Sequence, residues 1–387
     1  MKILFINEST RIKGGVDYVV KEEILGLRKR GFEVDLFEFS HEEYSIDNMK
    51  RKIQKTLLYF SEHKKINIIK EKINYFKPDI VHFHNTYPFF KKPLWTDNIF
   101  KDIKVVQHLH NYYPFCLNSF FYRDENICTD CFDNNNFSIG IKNACYDYSK
   151  IKSKIVAFNR PLPSEWLKST RNVDMFLGVS QFIVDKYIEF GVDNRKIKKL
   201  YNGVSFEDSQ INSKEGSYIL FLGNIVNSKG VTIVCELAKI NKEIQFKIAG
   251  LGRDLSMLKE KYKSLSNLSF EGYVEGKYKS ELIRNCRFLL FPVLSWEAFG
   301  LVILEATSFG KLIVTSGLGG TAEIVEEGIN GYLVKDNDIN RYNKVIRNLW
   351  WNFVNYPSDA RKLTEILVKF SKKNHIENLI NLYKLLF

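Results

Sequence analysis

Short apolar runs alternate with longer amphipathic stretches along most of this 387-residue chain. The runs have the length of buried strands, and the stretches between them show the apolar spacing of helices that cover a sheet. This β-α-β alternation predicts an α/β fold in which parallel sheets carry helices on both faces. The predicted strands lie at 2–6, 32–37, 79–83, 104–107 and 173–179, and then at 217–222, 244–249, 268–271, 287–291, 312–315 and 331–334.

The alternation pauses at 202–216, a polar segment with two glycines that we interpret as a linker. It separates a predicted N-terminal Rossmann-like domain, 1–205, from a predicted C-terminal one, 206–369. We expect a ligand cleft between two such domains. The end of the chain shows only helical patterns, and a helix at about 370–387 is expected to pack back on the N-terminal domain.

The charge and composition narrow the class of protein. Lys and Arg number 57 and Asp and Glu 45, so the net charge is +12, which favours an anionic partner. Ordinary globular composition excludes a chain that is disordered, collagenous or coiled coil throughout. Because we find no apolar run long enough for a membrane-spanning helix or a signal peptide, we predict a cytoplasmic protein. The six cysteines are then expected to be thiols.

The segment SWEAFGLVILEA directly follows a predicted strand and begins a predicted helix near Gly300. The free N–H groups and the dipole at a helix start attract phosphate. Glu297 precedes this helix and Glu305 lies in its second turn, and carboxylates accept hydrogen bonds from hydroxyls. A nucleotide-sugar, with ribose, diphosphate and hexose in series, fits this layout. Alternatively, Glu297 only complements the dipole and Glu305 is solvated.

This segment, followed by GGTAEIV and NGYLV, resembles the signature of glycosyltransferase family 4. The resemblance implies the GT-B fold, retention of the anomeric configuration and catalysis without a metal or cofactor. It implies that Glu297 contacts the donor sugar and Glu305 the nucleotide ribose. It further implies that the backbone around Phe299, Gly300 and Leu301 holds the distal phosphate.

Three further stretches resemble the same family. In FLGNIVNSKGV, Lys229 would stabilise the departing diphosphate, whereas Asn224 stands where the family usually has an arginine. In KGGVDYVV, Gly14 and Gly15 resemble a glycine loop that approaches the donor phosphates, although a glycine pair is also typical of a simple turn. In VVQHLHNYYPFC, the resemblance implies that His110 contacts the donor sugar or the acceptor; the alternative is a core histidine.

Two patterns raise the question of a metal. Cys116, Cys128, Cys131 and Cys145 lie in one stretch with a single C-x2-C pair, so a structural zinc site and ordinary thiols both remain open. The D-x-D at 336–338 follows a predicted strand, and we interpret it as turn chemistry.

A basic segment at 50–77 contains nine Lys or Arg against two Asp or Glu, with apolar residues between them. This pattern predicts contact with an anionic membrane surface, and a solvated helix face is the alternative. We find no nucleic-acid-binding motif around it, so no nucleic acid partner is predicted.

These observations lead to one preferred function. We expect transfer of a hexose from a nucleotide-diphosphate sugar to a glycan or lipid-linked glycan in bacterial surface polysaccharide synthesis. Lys229, Glu297 and His110 would be the catalytic residues. Asn224 favours the alternative, a non-catalytic nucleotide-sugar-binding partner subunit of the same fold. A nucleotide-sugar epimerase is a weaker third reading.

Overall fold

The computed structural model describes residues 1–9, 14–40, 62–86, 92–205, 216–352 and 360–387, so most of the predicted linker lies outside the described residues. Contacts divide the chain into two compact units. The first comprises Met1–Ser119, Thr129–Gly203 and His375–Phe387, and the second comprises Phe120–Cys128 and Val204–Asn374. Each unit contains a six-stranded parallel sheet, which confirms the predicted α/β class. Among the described helices, none has the length and apolar content that a bilayer span requires.

The sheet of the first unit has the strand order β2-β1-β3-β4-β7-β8. Its strands are near-continuous apolar runs because helices cover both faces of a parallel sheet. The strands are β1 (Lys2–Ser9), β2 (Glu33–Ser40), β3 (Ile80–Phe83), β4 (Lys104–Leu109), β7 (Met175–Gly178) and β8 (Ile197–Lys199). The helices are α1 (Gly15–Arg28), α2 (Glu62–Phe76), α3 (Asp130–Asp133), α4 (Ser138–Lys142), α5 (Lys150–Phe158), α6 (Pro163–Ser169) and α7 (Gln181–Glu189).

The core of the first unit joins its beginning to the end of the chain. Ile3 and Phe5 of β1 pack in one apolar cluster with Leu27 of α1 and with Leu379 and Tyr383. The last two residues lie on α14 (Lys372–Lys384), whose residues from His375 onward belong to this unit. The final helix therefore covers the strand at which the chain begins.

A two-stranded antiparallel hairpin interrupts the first unit in sequence. Its strands are β5 (Tyr122–Arg123) and β6 (Asn126–Ile127), and it lies in the segment that belongs to the second unit. The alternation of apolar runs gave no indication of this exchange, because two-residue strands are too short to produce a periodic pattern.

The sheet of the second unit has the strand order β11-β10-β9-β12-β13-β14. Its strands are β9 (Ile219–Leu222), β10 (Phe246–Ala249), β11 (Leu268–Gly272), β12 (Phe288–Phe291), β13 (Leu312–Thr315) and β14 (Gly331–Leu333). Its helices are α8 (Val231–Ile240), α9 (Leu255–Lys261), α10 (Gly276–Asn285), α11 (Leu301–Ser308), α12 (Ile339–Trp351) and α13 (Ala360–Lys369). Each strand lies within three residues of its predicted position.

The strand orders fix where ligands can bind. In each sheet the direction of strand addition reverses beside the first strand, between β1 and β3 and between β9 and β12. Ligands of open parallel sheets bind beyond the carboxyl ends of the strands at such a switch point. The loops that follow β1, β3, β9 and β12 are therefore the places to look for functional residues.

Gly230 lies in a tight passage that follows β9. Its φ is +75°, and a Cβ there would stand 1.8 Å from the carbonyl oxygen of Pro292. Gly272 has a similar φ of +73°, but a Cβ there would meet no atom within 4 Å. Alanine variants of Gly230 and Gly272 therefore separate the free-energy cost of a left-handed backbone from the cost of a steric clash with Pro292.

We expect Gly272→Ala to lower the free energy of unfolding by about 1 kcal/mol, the cost of the left-handed conformation for alanine. Gly230→Ala should lower it by about 2 kcal/mol more, because the backbone of Pro292 must also move. Urea denaturation followed by circular dichroism measures both. Equal losses in the two variants would show that the approach to Pro292 is not tight.

Candidate functional site

An ion pair joins the two loops at the switch point of the second unit. Lys229 ends a 3-10 turn, Asn227–Lys229, that follows β9, and Glu297 lies beyond the end of β12. The Lys229 ammonium contacts Oε2 of Glu297, and the side chains are only 16% and 11% exposed. The same ammonium lies 5.5 Å from the ring centroid of Phe120. A cation and a carboxylate therefore stand together where a parallel sheet binds its ligands.

Backbone hydrogen bonds hold these two loops in register. The amides of Leu294 and Ser295 donate to the carbonyl of Ser228, at 2.9 and 3.2 Å. The amide of Gly320 donates to the carbonyl of Glu297 at 2.8 Å, and a Cβ on Gly319 would stand 2.2 Å from that carbonyl oxygen. Gly319 and Gly320 of the GLGGTAEIV stretch thus allow this loop to pack closely on the backbone of Glu297, a role that sequence reasoning missed.

The helix α11 begins beside this ion pair. Its N-cap, Gly300, has a φ of +99°. The ring of Phe299 is buried against Phe370, at 5.9 Å between centroids, so its side chain belongs to the core. A ligand could contact Phe299 only through the backbone, as predicted for a phosphate at a helix start, and the amide of Leu301 lies in the same first turn.

Glu305 forms an ion pair with a lysine of the neighbouring helix α10. It lies on α11, and Nζ of Lys279 on α10 is 2.6 Å from its Oε1. Sequence reasoning missed Lys279, because the two residues are 26 positions apart and belong to different β-α units. Glu305 is therefore not the solvated carboxylate of the alternative interpretation, because its side chain is half-buried and paired with Lys279.

Asn224 lies just beyond the end of β9 and is exposed. The loop that it begins is held by the buried Asp254, whose Oδ2 accepts from the amide of Asn227 at 2.6 Å. Arg253 precedes Asp254 in this second loop and is half-buried. The loop after β10 therefore supports the loop after β9.

In the first unit, Gly14 and Gly15 begin α1. Gly14 is the N-cap with a φ of −105°, and a Cβ there would meet no described atom within 4 Å. Neither backbone strain nor packing requires this glycine in the described residues. Its amide donates to Oδ2 of Asp17 at 2.9 Å, so this N–H group already has a partner at the helix start.

His110, beyond the end of β4, belongs to a group of histidines. Its Nε2 lies 2.9 Å from Nδ1 of His84, and its ring stacks on that of His108 at 4.3 Å between centroids. Burial and then the neighbouring His84 hold the pKa of His110 well below its ordinary value, so the ring is neutral near pH 7. A neutral imidazole can donate or accept one hydrogen bond to a hydroxyl.

Behind His110 lies the buried carboxylate of Glu23, on α1. Burial raises its pKa, but His84 and His375 outweigh this effect and hold the pKa well below the ordinary value. Nε2 of His375 is 2.9 Å from Oε1 of Glu23, and its Nδ1 is 2.6 Å from the carbonyl oxygen of Tyr201. Both ring nitrogens of His375 thus face oxygen acceptors. Sequence reasoning did not identify Glu23, because acidic residues on helices are ordinarily exposed.

The remaining sequence patterns have these outcomes. The six cysteines are thiols, as predicted, and the zinc hypothesis for Cys116, Cys128, Cys131 and Cys145 stays a prediction. Cys131 and Cys145 pack in an apolar cluster with Leu117, Phe137 and Val156. In the D-x-D, Asp338 caps α12 and Asp336 pairs with Arg341, which agrees with turn chemistry. Of the basic segment, residues 50–61 lie outside the described residues.

Comparison with known proteins identifies the class to which this arrangement belongs. The model of Glycosyltransferase Family 4 matches residues 13–208, and that of Glycosyl transferases group 1 matches residues 205–355. The chain belongs to glycosyltransferase family 4, as its motifs suggested.

Individual relatives are more distant. An uncharacterized glycosyltransferase of Methanocaldococcus jannaschii is 33% identical over 210 residues, which cover 53% of this chain and 56% of that protein. The O-antigen chain mannosyltransferase C of Escherichia coli is 27% identical over 173 residues, 43% of this chain and 46% of that protein. The crystal structure of Anabaena HepE in complex with UDP-glucose is 15% identical, with a TM-score of 0.67 over 99% of both chains. This last similarity confirms the GT-B fold.

A double-mutant cycle tests the ion pair. We expect Lys229→Met and Glu297→Gln each to destabilise the protein, because each leaves a largely buried charge without its partner. The double variant should lose less free energy of unfolding than the two single variants lose together, with a coupling energy of about 1–3 kcal/mol. Urea denaturation measures it.

The exposed pair Lys263–Glu260, with side chains 69% and 74% exposed, is the matched control and should couple by less than about 1 kcal/mol. A coupling at Lys229–Glu297 no larger than the control would contradict the buried ion pair.

Proposed function

We propose that this protein is a retaining glycosyltransferase that transfers a hexose from a nucleotide-diphosphate sugar to a sugar hydroxyl. The single observation that supports this most is the Lys229–Glu297 ion pair beyond the ends of β9 and β12. Lysine is a common phosphate ligand, and a carboxylate accepts hydrogen bonds from sugar hydroxyls. Membership of a glycosyltransferase family supports group transfer as the reaction.

Binding of the donor gives each member of this ion pair a new partner. A phosphate oxygen of the donor competes for the Lys229 ammonium, and the carboxylate of Glu297 is then available to a hydroxyl of the hexose. Both half-buried charges keep a partner throughout, so neither pays the desolvation cost of an isolated ion. Lys229 and Glu297 thus act on neighbouring parts of one ligand.

The start of α11 holds the distal phosphate. The backbone amides at Phe299, Gly300 and Leu301 lie at the start of α11, where orphan N–H groups suit an anion. The backbone at Gly14 and Gly15, at the start of α1, is a second candidate phosphate contact. Asn224 contributes hydrogen-bond donors without a charge.

Glu305 and Lys279 provide the nucleotide end of the site. Because Nζ of Lys279 is 2.6 Å from Oε1 of Glu305, this contact holds the carboxylate in position. An ionised carboxylate accepts strong hydrogen bonds from the two ribose hydroxyls.

The chemical step breaks the bond between the anomeric carbon and the phosphate oxygen. The electron pair leaves with the nucleoside diphosphate, and Lys229 and the helix start stabilise the negative charge that develops. The acceptor hydroxyl adds on the same face of the sugar, and its proton passes to an oxygen of the departing diphosphate. Glu297 orients the hexose, and His110, neutral near pH 7, holds a hydroxyl of the donor sugar or acceptor. The step uses no metal or cofactor.

The acceptor is a glycan or a lipid-linked glycan, in synthesis of a cell-surface polysaccharide. The O-antigen mannosyltransferase among the relatives supports this class of acceptor. A second candidate is a non-catalytic subunit that binds the nucleotide-sugar without turnover, and the uncharged Asn224 at the position of the family arginine favours it.

The site predicts two separable defects. Glu305→Gln should weaken nucleotide-sugar binding about tenfold, which corresponds to about 1.4 kcal/mol, because a charged hydrogen-bond acceptor is lost. Lys229→Ala should lower kcat by about a hundredfold or more, because it removes charge stabilisation from the transition state. Thermal shifts with a panel of nucleotide-sugars give the donor, and release of nucleoside diphosphate on addition of membrane extract gives turnover.

Glu281→Gln, an exposed carboxylate on α10, is the matched control and should leave both measurements unchanged. Unchanged turnover in both site variants would refute the assignment of these residues. Binding of one donor without release across a wide acceptor panel would favour the non-catalytic subunit instead.

We further propose that the segment 50–77 contacts an anionic membrane surface. In its described part, Lys70 and Lys72 pair with acidic residues of the same unit, at 3.4 and 2.5 Å. Ile68 and Tyr75 of α2 are 50% and 88% exposed and could enter the headgroup region. The paired lysines add little charge to this surface, so attraction would come mainly from the residues before α2.

The protein should sediment with vesicles of anionic lipid at low salt and separate from them at about 0.5 M NaCl, because salt screens the attraction. Replacing Lys50, Arg51 and Lys52 by Gln should weaken binding about a hundredfold, since each basic residue contributes about 1 kcal/mol. The same change at Lys242 and Lys259 is the control. Failure to sediment at low salt would contradict membrane binding and favour the alternative, a solvated helix face.

A further inference from the structure

The first unit gathers most of the histidines of the chain around one carboxylate. The protein has seven histidines, and His82, His84, His108, His110 and His375 lie in this group. A ligand atom from each of four residues lies within 4.8 Å of the others, and all four side chains are buried. These four, Glu23, His82, His84 and His108, are called the Glu23 cluster below.

Three elements bring the Glu23 cluster together at the switch point of the first sheet. Glu23 lies on α1, while His82 and His84 come from the end of β3 and His108 from the neighbouring β4. The distances from the carboxylate oxygens are 3.3 Å to Nε2 of His84 and 3.5 Å to Nδ1 of His108. Ligand atoms around a tetrahedral zinc ion are separated by about 3.3 Å, given bonds of about 2.0–2.1 Å.

Five buried polar atoms of the Glu23 cluster have no hydrogen-bond partner within the described residues. They are Oε2 of Glu23, Nε2 of His82, Nε2 of His84, and both ring nitrogens of His108. Buried polar atoms are nearly always satisfied, and each one that is not costs about 1–3 kcal/mol. So many in one place call for a shared partner, and a single cation would satisfy one atom from each residue.

A second polar atom of Glu23, His82 and His84 is held by a neighbouring group, whereas His108 has no such bond. Oε1 of Glu23 lies 2.9 Å from Nε2 of His375, and Nδ1 of His84 lies 2.9 Å from Nε2 of His110. Nδ1 of His82 lies 2.6 Å from the hydroxyl of Tyr383. Outer contacts of this kind fix the tautomer and orientation of metal-binding histidines and carboxylates.

We propose that Glu23, His82, His84 and His108 bind one divalent transition-metal ion, with zinc as the ion that this ligand set fits best. Three imidazoles and one carboxylate are borderline ligands that suit zinc, and four ligands make a closed tetrahedral site. Calcium and magnesium are disfavoured because they select oxygen ligands.

Such an ion is structural. All four ligands are buried, so no position faces the solvent for a reacting water or a substrate. The ion ties α1 to β3 and β4, and its outer contacts extend to His375 and Tyr383 on the last helix. The proposed sugar transfer uses no metal ion, although His110 contacts the site through His84 and His108.

The test begins with metal analysis of the full chain, purified without an affinity tag and without added metal. We expect about one zinc ion per chain by mass spectrometry, retained after gel filtration, as for a structural site. Glu23→Gln should lose it. Glu22→Gln, the same change at the adjacent position of α1, is the matched control and should keep it.

The four cysteines are an independent source of zinc, so the test must separate the two sites. A variant with Ser at positions 116, 128, 131 and 145 should retain the ion of the Glu23 cluster. Zinc that survives Glu23→Gln but is lost with the four cysteines would overturn the proposal.

A spectroscopic measurement on the unmodified protein covers the case in which Glu23→Gln does not fold. After removal of zinc by a chelator and addition of Co²⁺, we expect tetrahedral visible bands that persist in the four-serine variant, which has no thiolate charge-transfer band. Protein purified without metal that also takes up no Co²⁺ would refute the site.

Discussion

The ion pair between Lys229 and Glu297 is the central side-chain contact at the switch point of the second sheet. It joins the loop after β9 to the loop after β12, and backbone hydrogen bonds to the carbonyl of Ser228 keep these loops in register. The pair is possible because the strand order places β9 and β12 side by side although two strands intervene in sequence. Each of these largely buried charges spares the other the desolvation cost of an unpaired ion.

The first unit uses an opposite arrangement at the equivalent place in its sheet. There a buried carboxylate, Glu23, lies among histidines, and burial lowers the pKa of His82 and of His108. The group reaches from α1 to the last helix through His375 and Tyr383, so the two ends of the unit share one polar core. Polar groups so deep in a unit cost free energy unless they are satisfied, which makes them informative about function or about a bound ion.

Local patterns carried much of what could be predicted. All strands of the two sheets except β8 were placed within a few residues, because both-face burial demands unbroken apolar runs. The strand β8 was missed because only one of its three residues is buried. The motif around Glu297 and Glu305 indicated a ligand end, since a glycine at a helix start and flanking carboxylates are close in sequence. The hairpin at 122–127, the contact of Lys279 with Glu305 and the burial of Glu23 were not predictable, because each depends on segments that are distant along the chain.

The sequence by itself determined the fold class, the division into two sheets and the family, because periodic burial and short motifs are local properties of a chain. Only the tertiary structure decided the partners of each charged side chain. It paired Lys229 with Glu297 and Lys279 with Glu305, and it gathered four histidines on Glu23. The physical reason is that the order of strands in a sheet brings together loops from separate β-α units, and a single sequence carries no local signal for that order.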